Sequence, residues 1–242
     1  MASVHSPQTT CNAEPLLALS SQLLLVVVPN RNSCTARLQR FFRTDLSADW
    51  QAMGEAVPVS LGRSGLAWGR QADVGWEGAV KREGDGCAPA GVFPITALFG
   101  YAAPDSPFAR ALKLPYLCAT HNLKAIDDPG SVHYNRIVDQ TLVAKPDWSS
   151  CEDMLRTDLR YAVGAVVGYN AAPPVPGAGS CIFLHVWASE GVATAGCTAM
   201  SLADMTEIAQ WLDGSAAPLL VQLPQAEYEG LRKAWCLPSP LA

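Results

Sequence analysis

The chain has 242 residues, enough for one domain with elaborations, and 49% of them are hydrophobic, which supplies a real core. Charged residues make up only 16% and the net charge is −5, so there is no electrostatic case for binding nucleic acid. The longest apolar run, Leu23 to Val28, stops at Pro29 and is far too short to cross a bilayer.

Residues 1–18 read as a disordered leader, and 19–242 as a single domain. The first fifteen residues hold no Lys or Arg, so no clear secretory signal is read in them, and an export signal upstream of them stays open. Gln22 to Val28 is a β run. Cys34 to Arg43 has helical character, with Leu38, Phe41 and Phe42 on one side. Ala56 to Leu61 reads as a strand, Gly62-Arg63-Ser64-Gly65 as a turn, and Leu66 to Gly69 as another short strand. Lys81 to Phe93 is a charged, Gly-rich loop entering a strand, and its glycines match neither a P-loop nor a dinucleotide fingerprint. Residues 102–150 read mostly as loop, a length that usually signals function.

Tyr161 to Tyr169 is strand-like, Ala171 to Gly179 is a Pro/Gly loop, and Cys181 to Trp187 is a strong strand. Ser201 is the expected N-cap of a helix with Asp204 three residues on. Leu202, Met205, Ile208 and Leu212 form its apolar stripe, and Gly214 is a C′ residue. Leu219 to Leu223 is a further strand, and Gln225 to Trp235 a final helix. The whole predicts a mainly β chain with a few helices (α+β), arranged as a β-sandwich or partial barrel.

Eight cysteines are scattered without a CxxC pair, so no zinc site is predicted, and most read as buried thiols. Two residues carry the chemistry. His185 sits in the apolar strand, and twelve residues later Cys197 follows Gly196. A cysteine nucleophile needs a base for its proton and backbone N–H groups facing a developing oxyanion, and this pair can supply both. The bland readings are a core histidine bonded to a carbonyl and a small buried thiol. Strand alternation puts His185 on one face with Phe183 and Trp187. The helix after Cys197 can lower the thiol pKa slightly through its dipole, and the imidazole can do so by ion pairing. Asp127-Asp128-Pro129-Gly130 and Asp85 read first as turn residues.

Several motifs in one order resemble the YkuD-type L,D-transpeptidase catalytic domain, from about Gln22 to Trp235. They are Gly65-Leu66-Ala67-Trp68-Gly69-Arg70, Lys81 through Phe93, His133-Tyr134-Asn135-Arg136, Gly177 through His185, and Thr194-Ala195-Gly196-Cys197-Thr198-Ala199-Met200. The resemblance implies an enzyme that joins or trims peptidoglycan stem peptides. It attacks the bond between an L-configured centre, usually of meso-diaminopimelate, and a D-alanine. It implies Cys197 as nucleophile and His185 as base. Thr194 stands at the family's Ser/Thr position, and the N–H groups of Gly196 and Cys197 form the oxyanion hole. No cofactor and no metal are implied, the partner is the stem peptide, and the setting is the periplasm or cell envelope.

The chain departs from the family's Ser/Thr-His-Gly-Cys-x-Arg/Asn pattern at Ala195 and Ala199. The lost charge leaves Arg70, Lys81, Arg82 and Arg136 as replacements, among which the sequence does not choose. His133, Tyr134, Trp68 and Trp76 are further expected cleft residues. Two alternatives stay open: a hydrolase of the same acyl-enzyme (an L,D-carboxypeptidase or peptide amidase), and a catalytically silent peptidoglycan-binding domain.

Overall fold

The computed structural model describes residues 13–70 and 78–239. His5, Cys11 and Trp76 lie outside them. The chain opens with helix α1 (Ala13–Leu19), so the last part of the expected leader is ordered, with Ala13 and Leu17 buried. Strands β1 (Gln22–Val28), β2 (Thr35–Phe42), β3 (Gln51–Ser60) and β4 (Leu66–Trp68) follow, and then the long β5 (Ala88–Gly100). A short helix, α2 (Pro107–Ala111), leads to β6 (Tyr116–Cys118), β7 (Leu123–Ala125), β8 (Ile137–Asp139) and β9 (Glu152–Asp153). The chain ends with β10 (Val163–Val167), β11 (Phe183–Val186), β12 (Thr198–Met200), α3 (Leu202–Trp211), β13 (Leu219–Pro224) and α4 (Gln225–Leu231).

Ten strands form one sheet that runs β10-β11-β12-β3-β2-β1-β13-β5-β4, with β6 on β5. Because β10 also pairs with β5, the circuit closes into a barrel. The architecture is therefore mainly β with few helices, as the sequence pattern predicts. Strand β1 lies inside the circuit, antiparallel to β2 and parallel to β13. Leu23, Leu24 and Val26 are fully buried there, which is why this run shows no polar alternation.

The helix expected over Cys34–Arg43 is strand β2. Its register against β3 shifts between Leu38 and Arg40, and Leu38, Gln39, Arg40 and Phe41 are all buried. That irregularity erases the period of two and leaves apolar spacings that imitate a helix face. Arg40 is buried along its stem and carries its guanidinium out to Glu207 on α3.

In α3 the Ser201 hydroxyl accepts from the Asp204 N–H at 3.1 Å, as a cap should. Met205, Ile208 and Ala209 face inward, and α3 packs on β10 and β11. Leu202 is exposed, so the stripe begins one turn later than expected. The helix ends at an extended Leu212 rather than at a left-handed Gly214; Ala217, beyond a further short turn, takes the positive φ of 46°. The final helix stops at Leu231, with turns reaching Cys236.

The expected loop region is a small cap. Strands β8, β7 and β9 make a three-stranded sheet of their own. A second apolar cluster ties it to the barrel, with Ala125 and Met154 from the cap meeting Phe99, Tyr161 and Phe183. Asp128 accepts from the Gly130 and Ser149 N–H groups, and Asp127 accepts from the Ser150 hydroxyl, so these acids staple the cap's loops. The seven cysteines among the described residues are free thiols, and only Cys181 is fully buried.

Candidate active site

Strands β11 and β12 run parallel, with Leu184 opposite Thr198 and His185 opposite Ala199. Cys197 therefore stands beside Phe183, one residue before β12. Side chains alternate with period two, so Cys197 and Ala199 share the face that carries His185. Both Cys197 and His185 line one cavity of about 250 Å³. The small Ala199 side chain, across from His185, leaves that cavity open.

The thiol is enclosed although the residue as a whole is partly exposed. Its Sγ accepts from the Phe183 N–H at 3.4 Å and donates to the Cys181 carbonyl at 3.5 Å. Burial is the main cause of a thiol pKa pushed up to about 12, with the Glu152 carboxylate adding to it and the Lys81 ammonium opposing. His185 Nδ1 lies 2.8 Å from the Val186 carbonyl, so it holds the proton and Nε2 keeps its lone pair. Burial pulls the imidazole pKa down to about 4, and the Arg160 and Arg156 charges also disfavour the cation. The resting pair is thus a neutral thiol and a neutral imidazole. The ion pair expected from the sequence is not the resting state, and α3 lies beyond β12, too far for its dipole to matter.

The turn before Cys197 is tied at several points. Thr194 Oγ1 donates to the Cys197 carbonyl at 2.7 Å and accepts from the Gly196 N–H at 3.1 Å. This hydroxyl closes the turn rather than facing substrate. The Gly196 N–H is consumed by it, so the expected oxyanion hole loses that donor. Gly196 has φ of +156°, and a Cβ there would lie 2.9 Å from the Cys87 carbonyl. The Lys81–Phe93 motif therefore packs against the turn before Cys197. On the other side, the Thr194 N–H donates to Leu61 and the Arg63 N–H donates to Thr194.

The remaining expected site residues fall elsewhere. Trp68 is in β4 at 2% exposure, with the Arg31 guanidinium 4.5 Å above its ring, so it is a core residue and not a cleft wall. Lys81 is buried and bound to Asp85 at 2.7 Å, which closes it to a substrate. Tyr134 is buried, with its hydroxyl given to Glu83 and accepting from the Gly179 N–H. Arg70 and Arg82 are exposed and line neither of the two cavities at the strand β11 region. His133 and Arg136 line a separate cavity of about 400 Å³ that also reaches Cys181, Ile182 and Phe183. Within that motif Asn135 has a structural task. Its amide accepts from the Cys181 N–H at 2.9 Å and donates to the Tyr169 and Asn170 carbonyls. It holds the segment that cradles the thiol.

Four lining residues escape a reading of the sequence: Glu152, Arg156, Arg160 and Tyr161. The Tyr161 hydroxyl donates to the Glu152 carboxylate, and burial raises the pKa of both groups. The Tyr161 ring meets the His185 ring edge-on at 5.5 Å. These residues come from β9 and from the turn before β10, and only the cap's folding brings them to the barrel face.

A barrel with a thiol and an imidazole on neighbouring segments that line one cavity of about 250 Å³ holds the groups that a cysteine-dependent enzyme uses. Residues 36–222 match the YkuD model, the L,D-transpeptidase catalytic domain, and the chain belongs to that family. The family acts on peptidoglycan and is associated with the cell envelope. No curated protein matches the chain.

Proposed function

We propose that this chain is a cysteine acyltransferase of peptidoglycan stem peptides, working through a Cys197 thioester. Cys197 Sγ attacks the carbonyl on the amino side of a D-alanine, while His185 Nε2 takes the thiol proton. Because the resting thiol is neutral, proton transfer accompanies attack rather than preceding it. The Cys197 N–H, which donates to no group among the described residues, is the backbone donor for the developing oxyanion. The imidazolium then gives its proton to the departing D-alanine amine. An amine of a second stem peptide attacks the thioester, forming the cross-link and returning the thiol. The reaction belongs in the periplasm or cell envelope, where the stem peptides are.

The observation that supports this reading is the convergence of Cys197 and His185 on one face of β11 and β12, in one cavity. The test is mass spectrometry of tetrapeptide muropeptides incubated with the wild type and with Cys197→Ala. Cross-linked dimers that have lost one D-alanine, absent with the variant, are the expected result. Tripeptides without dimers would instead establish the hydrolase. No change in the muropeptides with either protein would refute the acyl-enzyme on this substrate.

A further inference from the structure

The cavity that holds Cys197 and His185 also holds two guanidinium groups, from Arg156 and Arg160. One carboxylate serves both. Arg156 places Nε and a terminal nitrogen on Asp158 at 3.2 and 3.3 Å, a two-point contact, and lies 5.2 Å above the Tyr161 ring. Arg160 forms an ion pair with the same carboxylate, its Nε 3.1 Å away. Its terminal nitrogens donate to no group among the described residues, and its side chain is 47% exposed. Asp158 thus meets Arg156 at two points and leaves the Arg160 guanidinium half-exposed at the cavity wall. Glu152 lines the same cavity, and its carboxylate accepts from the Tyr161 hydroxyl rather than from either arginine.

The geometry points to Arg160, steadied by Asp158 and backed by Arg156, as a carboxylate-binding wall beside the nucleophile. A guanidinium whose terminal nitrogens are open is shaped for a carboxylate, to which it offers parallel N–H donors. On the stem-peptide reading above, on which this identification of the ligand rests, the group it takes is the carboxylate of the departing D-alanine. That carboxylate is two bonds from the scissile nitrogen, so an arginine in the same cavity as the thiol can reach it. The enzyme then selects donors that end in a free D-alanine.

A test independent of peptidoglycan uses two alkylating agents of nearly equal size, iodoacetate and iodoacetamide. With either, the Cys197 sulfur displaces iodide and loses its proton; only the carboxylate differs. The rates at Cys197 are followed by peptide mass spectrometry on the full chain at pH 8. Arg160→Gln is expected to lower the iodoacetate-to-iodoacetamide ratio roughly tenfold, the scale of a lost charge-assisted hydrogen bond. Asp158→Asn, which removes the competing charge but keeps an acceptor oxygen, is expected to raise it. A ratio that neither variant changes, even if both rates fall together, would overturn the proposal and leave the arginines a structural role. In a second arm, wild-type acylation is compared for a tetrapeptide ending in D-alanine and for its C-terminal amide. Selectivity for iodoacetate with no acylation by either peptide would keep the carboxylate site and reject the stem-peptide reading. Equal acylation by both would reject the D-alanine carboxylate as the group bound.

Discussion

Acid should unfold this protein through His185. The side chain is 6% exposed, and its pKa is held down to about 4, first by burial and then by the Arg160 and Arg156 charges. The unfolded chain titrates that histidine near its ordinary value of 6.5. Between those two values the unfolded state binds more protons than the folded one, so stability rises with pH there. The contribution is complete above 6.5 and is lost as the pH falls toward 4. At pH 4.5 the unfolded histidine is almost fully charged and the folded one about one-quarter charged, which amounts to about 2.5 kcal/mol lost relative to pH 7. Carboxylates titrate over the same range, so the quantity to measure is a difference between proteins. His185→Gln keeps an amide donor for the Val186 carbonyl and removes the titration. Urea unfolding at pH 7.0 and 4.5 should show the wild type losing about 2.5 kcal/mol more than the variant. Equal losses in the two proteins would refute the claim that His185 is buried neutral.

Three further outcomes follow from the same site. Iodoacetamide should react with Cys197 in the resting protein at a rate that keeps rising above pH 9, since the thiol sits near 12; a plateau at neutral pH would mean a preformed thiolate. Gly196→Ala forces a side chain against the Cys87 carbonyl at a positive φ, and urea unfolding should register a loss of about 1–3 kcal/mol, with an unchanged midpoint counting against the tight turn. Tyr161→Phe removes the donor to a buried Glu152 carboxyl and should cost about 1–3 kcal/mol by the same assay; full stability would show that water replaces the hydroxyl.

Much of the molecule was legible in its residues, and the reasons differ by element. Strand β1 reads correctly because an unbroken aliphatic run ended by Pro29 permits little else, and α3 because Ser201 and Asp204 cap it locally. His185 and Cys197 stand out because a thiol after glycine and an imidazole in an apolar strand are local patterns. Their meeting in one cavity is a matter of the β11–β12 register, a non-local pairing. Strand β2 misreads because its bulge is invisible without β3 beside it. The cap misreads because its three short strands hold together only by pairing with one another and by packing on Phe99, Tyr161 and Phe183.

The candidate substrate contacts show the same division most sharply. Charge type and proximity in a motif suggested Lys81, Arg70, Arg82 and Arg136, yet only burial decides whether a cation faces solvent, a partner or a ligand. Lys81 found Asp85, and Arg136 found another cavity. Arg156 and Arg160 carry no motif and share a cavity with Cys197 only because the segment before β10 lies at its wall. The thiol's ionisation was equally out of reach of the residue order, since it depends on how much solvent the Cys181–Phe183 cradle excludes. The sequence by itself determined the elements with strong local signals and singled out Cys197 and His185 as candidates. The tertiary structure decided which charges share their cavity and in which protonation state they wait, because desolvation and contact are properties of surroundings assembled from distant parts of the chain.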